Sequence, residues 1–186
     1  KTKRSAGQAR ALAARQAMTA LLEVRNLRVE FPSRRGTLLA LDDISFEIAP
    51  GEILGVVGES GAGKSLTGAS IIGLLDPPGR IAGGEILLAG ERIDNLPYEA
   101  LRKIRGRRIG AIFQDPLTSL NPLYTIGRQL TETIRTHLPV SEAEARVRAV
   151  RLLQETGIQG AEQHIDQYPY QFSGGMRQRV VIALAL

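Results

Sequence analysis

Residues 58–65 read GESGAGKS and fit the pattern G-x-x-x-x-G-K-[ST], a spacing suited to binding a polyphosphate. Gly58, Gly61 and Gly63 are expected to supply positive φ angles and close backbone approach, so that successive N–H groups wrap around phosphate oxygens. Lys64 would reach the β and γ phosphates, and the Ser65 hydroxyl would ligate Mg²⁺. Glu59, Ser60, Ala62 and, one position beyond the pattern, Leu66 complete the run that would line the nucleotide. The alternative is a plain glycine turn capping a helix. Context favours the phosphate loop: the apolar run ILGVVG leads into it and a helical pattern follows, which turns a helix N-terminus toward the anion.

A phosphate loop alone does not choose among kinases, GTPases and motor ATPases. Hydrolysis also needs an acid at the end of a second buried strand, to hold Mg²⁺ through water, and a group that positions the attacking water. Two apolar runs close in Asp. LLALDD, residues 38–43, precedes the loop and leads into an alternating strand, whereas IIGLLD, ending at Asp76, is expected in the helix after the loop and directed away from the phosphates. Neither is placed as the metal acid should be.

The elements that must position the loop follow from periodicity. Leu22, Val24, Leu27, Val29 and Phe31 fall near period two, as do Ile44, Phe46 and Ile48, which predicts half-buried antiparallel strands. The run from Ile53 is almost continuously apolar, as expected of a strand covered on both faces. A helix is expected over residues 63–75, ended by Pro77, Pro78 and Gly79. GGEILLAGERI suggests another strand with a turn at Gly90, and RRIGAIFQD a buried strand ending at Phe113. Beyond Asp115 the texture is helical: TIGRQLTETIRTHL, then SEAEARVRAVRLLQETG, where Ser141 and Glu144 form a capping box and Gly157 suits a C-terminal cap. The expected layout is a core over residues 18–115, a helical lobe over 116–172 and a further helix over 173–186.

At 186 residues, 43% of them hydrophobic, the chain suits one domain with a real core. The absence of cysteine removes disulfides, thiolate nucleophiles and cysteine-based zinc sites. No apolar stretch reaches the eighteen residues of a spanning helix. The net charge of +5 invites a nucleic-acid partner, but Lys1, Lys3, Arg4, Arg10 and Arg15 supply all of it, leaving 19 bases against 19 acids in residues 18–186. Residues 1–17 are read as a leader outside the fold, with a targeting peptide or a nucleic-acid arm as alternatives.

FSGGMRQR, beginning at Phe172, and IFQDPLTSLNP, residues 112–122, together with the phosphate loop, resemble the ATP-binding subunits of ABC transporters, specifically importers of oligopeptides, dipeptides and nickel. The resemblance covers about residues 20–186. It implies a P-loop NTPase of ABC type: a mixed α/β core with an antiparallel β subdomain and an inserted helical subdomain, C-terminally incomplete. ATP and Mg²⁺ are the implied cofactors. Phe31 matches the aromatic that stacks on adenine, although as the last residue of a strand pattern it suits the core equally. Gln114 matches the glutamine that senses Mg²⁺ and the attacking water; its alternative role is a loop amide satisfying nearby backbone groups. Ser173, Gly174 and Gly175 match the signature turn, which would grip the γ-phosphate of a nucleotide bound to the opposite subunit. Phe172 and Met176 depart from the Leu and Gln favoured by the family at large.

The implied partners are a second ATP-binding subunit, identical or related, transmembrane permease subunits near residues 118–124 and, indirectly, an extracytoplasmic solute-binding protein. The implied location is peripheral, on the cytoplasmic face of the bacterial inner membrane, with no nucleic acid. His137 and His164 are expected at the surface, because the family's catalytic histidine lies beyond residue 186. The family's metal acid and catalytic glutamate also follow the signature helix, so these 186 residues are expected to be part of a larger protein and to be neither a competent ATPase nor stable alone. A soluble ABC-type ATPase acting on nucleic acid or ribosomes is the alternative, and a phosphotransferase of unrelated fold a third; co-purification with a permease, or phosphate transfer to a small acceptor, separates them.

Overall fold

The computed structural model describes residues 20–113 and 119–186. They fall into two compact units, divided between Leu101 and Arg102.

The first unit is built on strands β1 (Leu22–Ser33), β2 (Gly36–Ile48), β3 (Arg80–Leu88) and β4 (Glu91–Arg92), in the order β2-β1-β3-β4 with every pairing antiparallel. Val24, Leu27 and Val29 of β1 are buried with Leu41, Ile86, Leu88 and Ile93. The three-residue step from Val24 to Leu27 breaks the period of two at a bulge: Asn26 has φ 48°, and its amide nitrogen donates to Asp43, itself at φ 55°. One extra residue keeps both apolar side chains on the same face. Ala89 and Gly90, at φ 52° and 80°, join β3 to β4 in the two-residue turn whose twist matches its strands.

Asp94 fastens that hairpin. Its side chain is 6% exposed, and its Oδ1 accepts from the Ile86 N–H at 2.8 Å and from Arg92 Nε at 3.1 Å. Burial pushes the carboxyl upward, but the Arg92 guanidinium and the Ile86 N–H outweigh it, so the group sits below its ordinary value. The stability this contributes is complete above the unfolded carboxyl's pKa of about 3.9 and is lost as pH falls through the lower folded value. Asp94→Ala in the full-length protein should therefore cost about 1–3 kcal/mol at pH 7, by leaving the Ile86 N–H unpaired. Urea titrations at pH 7 and pH 3 should show the gap from the parent narrowing at the lower pH.

Helix α1 (Lys64–Ile71) is shorter than its pattern suggested. Gly73 adopts φ 66°, its N–H donates to the Ser70 carbonyl and that of Leu74 donates to Ala69, which closes the helix before the prolines are reached. Asp76 thus lies in the turn after α1 instead of inside it. Residues 53–58, expected as a covered strand, are unpaired among the described residues, with Ile53 96% and Val57 92% exposed. The same correction applies to the strand expected to end at Phe113, where the ladder contact among the described residues is an isolated bridge between Arg105 and Ile109. A strand exists only through neighbouring N–H and C=O groups, and no described segment supplies them to either run.

The chain leaves the first unit within α2 (Tyr98–Ile104). The second unit contains α3 (Ile126–His137), α4 (Glu142–Glu155), the short α5 (Ala161–His164), a 3₁₀ turn (Pro169–Gln171) and α6 (Gly174–Ala185). Ile126, Leu130 and Ile134 repeat every four residues on α3, and Ala145, Ala149 and Leu153 do so on α4; both stripes enter one core with Ile165, Phe172, Val180 and Val181. The alanines let the backbones approach closely. The capping box is formed: the Glu144 N–H donates to Ser141 Oγ at 3.3 Å, and the Ser141 N–H to Glu144 Oε2 at 2.9 Å. Gly157, at φ 82°, ends α4 with its N–H on Gln154 and that of Ile158 on Leu153.

Candidate nucleotide-binding site

The phosphate loop runs from the unpaired apolar segment into α1. Gly61 and Gly63 both adopt φ 85°, as a loop that turns its N–H groups inward requires. Gly58 does not have positive φ; its constraint is steric, since a methyl group there would approach the Ala62 methyl to 3.3 Å. Lys64 Nζ donates to the carbonyls of Gly58 and Glu59, each at 2.7 Å, so the ammonium folds back across the loop and holds its two ends together. Gly63 caps α1 without a side-chain hydrogen bond, and no acid stands in the first turn, so the helix dipole there is uncompensated. Ser65 is exposed and Leu66 half-buried, while Glu59, Ser60 and Ala62 are exposed along the loop. A polyphosphate would find N–H donors, one cation and a hydroxyl on one short segment.

Phe31, expected as the last residue of its strand, is half-buried and paired with Leu38 two residues before β1 ends at Ser33, and its ring lies so close to Gly79 that a methyl there would come within 2.6 Å of it. Gln114 lies outside the described residues. The two acids of LLALDD are engaged in the sheet: Asp42 with Arg28 at 2.9 Å and Asp43 with Asn26 at 2.6 Å. Among the described residues no three of His, Cys, Asp and Glu cluster to hold a metal ion. Among the described residues, the Ser65 hydroxyl is a group that would hold Mg²⁺ beside a nucleotide's phosphate oxygens.

In the second unit Ser173 is the N-cap of α6, with φ −63° and ψ 162°, and its Oγ accepts from the Met176 N–H at 3.3 Å. Ser173, Gly174 and Gly175 are exposed, and a methyl on either glycine would meet nothing within 4 Å. Directly before them Phe172 is 2% exposed, with its ring edge-on to His164 at 5.9 Å. The turn is therefore an open helix tip mounted on a core residue. The histidines differ from expectation: His164, half-buried, shares a 3.0 Å hydrogen bond with Gln167, and the half-buried His137 ring lies against Gly106. Both are packing residues.

Two polar side chains had no sequence signal. Gln129 holds the segment before α3, accepting from the Asn121 N–H at 2.9 Å and donating to the carbonyls of Asn121 and Tyr124. Arg177 Nε donates to the Phe172 carbonyl at 3.0 Å. Each looks like an ordinary residue on a helix face until the loop it grips is seen.

Residues 41–186 match the family profile described as ABC transporter. The chain belongs to that family. It is 46% identical over 170 residues to the oligopeptide transport ATP-binding protein OppD of Bacillus subtilis (strain 168), covering 91% of this chain and 48% of that one. It is 47% identical over 173 residues to OppD of Escherichia coli (strain K12), covering 93% and 51%, and 47% identical over 167 residues to the dipeptide transport ATP-binding protein DppD of Lactococcus lactis subsp. cremoris (strain MG1363), covering 89% and 48%. The chain thus spans about half the length of the curated relatives it matches. Among solved structures it resembles the ATP-binding cassette MJ0796 in a dimeric post-hydrolysis state bound to ADP and Pi, with TM-score 0.77 and 29% identity over 89% of this chain and 68% of that one. The ABC ATPase fold, with its antiparallel sheet, is the one the motifs implied. Among the described residues no helix is long and apolar enough to cross a membrane.

Proposed function

We propose that the chain is the nucleotide-binding part of an ATPase subunit that powers uptake of peptides, or of nickel, through an ABC importer. One observation supports this: one chain carries both a glycine loop crossed by its lysine and an open serine-headed helix tip, two arrangements suited to polyphosphate. ATP would lie in the cradle, with Lys64 on the β and γ phosphates, Ser65 and Gln114 toward Mg²⁺ and Phe31 against adenine. Ser173, Gly174 and Gly175 would close on the γ-phosphate held by a second subunit, so that binding draws two subunits together and hydrolysis releases them. The partners proposed are that second ATP-binding subunit, permease subunits at the cytoplasmic face of the membrane and, through them, an extracytoplasmic solute-binding protein.

Ser173→Ala in the full-length protein tests this directly. Its affinity for a fluorescent ATP analogue, measured on the single subunit, should remain within twofold of the parent. ATP-dependent association, followed by sedimentation, should weaken about tenfold, the loss expected for a charge-assisted hydrogen bond to phosphate. Equal loss of both, or of neither, would contradict a shared site.

A further inference from the structure

We propose that Arg177 is a positioning residue that fixes the orientation of the signature turn; this rests on the role of Ser173 given above. Packing does not fix that turn, because Ser173, Gly174 and Gly175 are exposed and both glycines face open space. Phe172 anchors the chain on one side and α6 continues on the other, which leaves the peptide between Phe172 and Ser173 to be oriented.

Arg177 grips the backbone on both sides of Ser173. Its main-chain N–H donates to the Ser173 carbonyl at 2.9 Å, as the helix ladder requires, and its Nε donates to the Phe172 carbonyl at 3.0 Å. The Phe172 carbonyl precedes the helix cap, so the ladder does not reach it. A trans peptide is planar, with C=O and N–H opposed. Pinning the Phe172 carbonyl to the guanidinium therefore also sets the direction of the Ser173 N–H, a donor on the residue proposed to meet phosphate. The contact between Ser173 Oγ and Met176 is long, at 3.3 Å, and does not hold the peptide by itself.

The placement is also costly in the absence of an anion. Arg177 is the fourth residue of α6, near the end where the helix dipole disfavours a cation, and its terminal nitrogens have no partner among the described residues. A helix selected only for its own stability would not put its first cation there.

The experiment uses the full-length protein, with single-subunit affinity for a fluorescent ATP analogue and ATP-dependent association measured side by side. Arg177→Met keeps the length of the stem and removes the donor. It should weaken association about five- to tenfold, the effect of one backbone-directed hydrogen bond, and leave single-subunit nucleotide affinity within twofold. Arg177→Lys should recover part of the loss, since an ammonium can donate to the same carbonyl. Parental association by Arg177→Met, or a parallel fall in single-subunit affinity, would each overturn the proposal. If Ser173→Ala weakens association while Arg177→Met does not, this inference alone fails; if Ser173→Ala has no effect, the shared-site reading falls and takes it along.

Discussion

Lys64→Ala in the full-length protein should reduce ATP affinity by about two orders of magnitude. The side chain does two things at once in the structure. It supplies the only cation within residues 58–65, and it ties the carbonyls of Gly58 and Glu59 together across the loop at 2.7 Å each. Removing it deletes a charge-assisted contact to phosphate worth about 1.5–3 kcal/mol and also releases the loop ends, so the ligand must bear the cost of ordering them. At about 1.4 kcal/mol per factor of ten, even the contact alone reaches one to two decades. Lys64 is not part of the buried core, so the far-ultraviolet circular dichroism of the variant should match the parent. Titration with a fluorescent ATP analogue decides the matter, and affinity within threefold of the parent would remove the phosphate loop from the proposed site.

The largest effect on stability is expected at Phe172. Its ring is 2% exposed and belongs to the core formed by α3, α4 and α6, so Phe172→Ala should cost about 3–5 kcal/mol. Set against a typical total of about 5–15 kcal/mol, that is a large fraction. The ring also carries the next residue, Ser173, and the variant should lose ATP-dependent association beyond what its unfolded fraction explains. Tyr170→Ala is the control two positions away: at 71% exposed and with its ring stacked on Tyr168, its loss should cost about 0.5–1.5 kcal/mol. Urea denaturation of the two variants gives the comparison, and a cost below about 1.5 kcal/mol at Phe172 would show that the core closes without it.

What could be read in advance was the chemistry carried by local patterns. Ser141 with Glu144, Gly157, the turn at Gly90 and the helical texture of α3 and α4 involve residues at most a few positions apart, and each formed as expected. The run from Ile53 behaved differently because a continuous apolar stretch specifies burial on two faces without saying what covers them. Its neighbours must come from distant sequence, and none of the described segments pairs with it. Gly58 carried a conformational expectation that belonged to Gly61 and Gly63, since the pattern fixes residue type and not which φ each glycine adopts. Asn26, Gln129 and Arg177 escaped notice because their roles are long-range contacts or backbone grips, which have no period.

The way Gln129 holds the segment before α3 leaves that segment open to change. Its side-chain amide hydrogen-bonds to main-chain atoms of Asn121 and Tyr124, while Pro122 and Leu123 between them are exposed, Leu123 at 79%. The outward side chains at these two positions can thus be exchanged without rebuilding the pedestal beneath them.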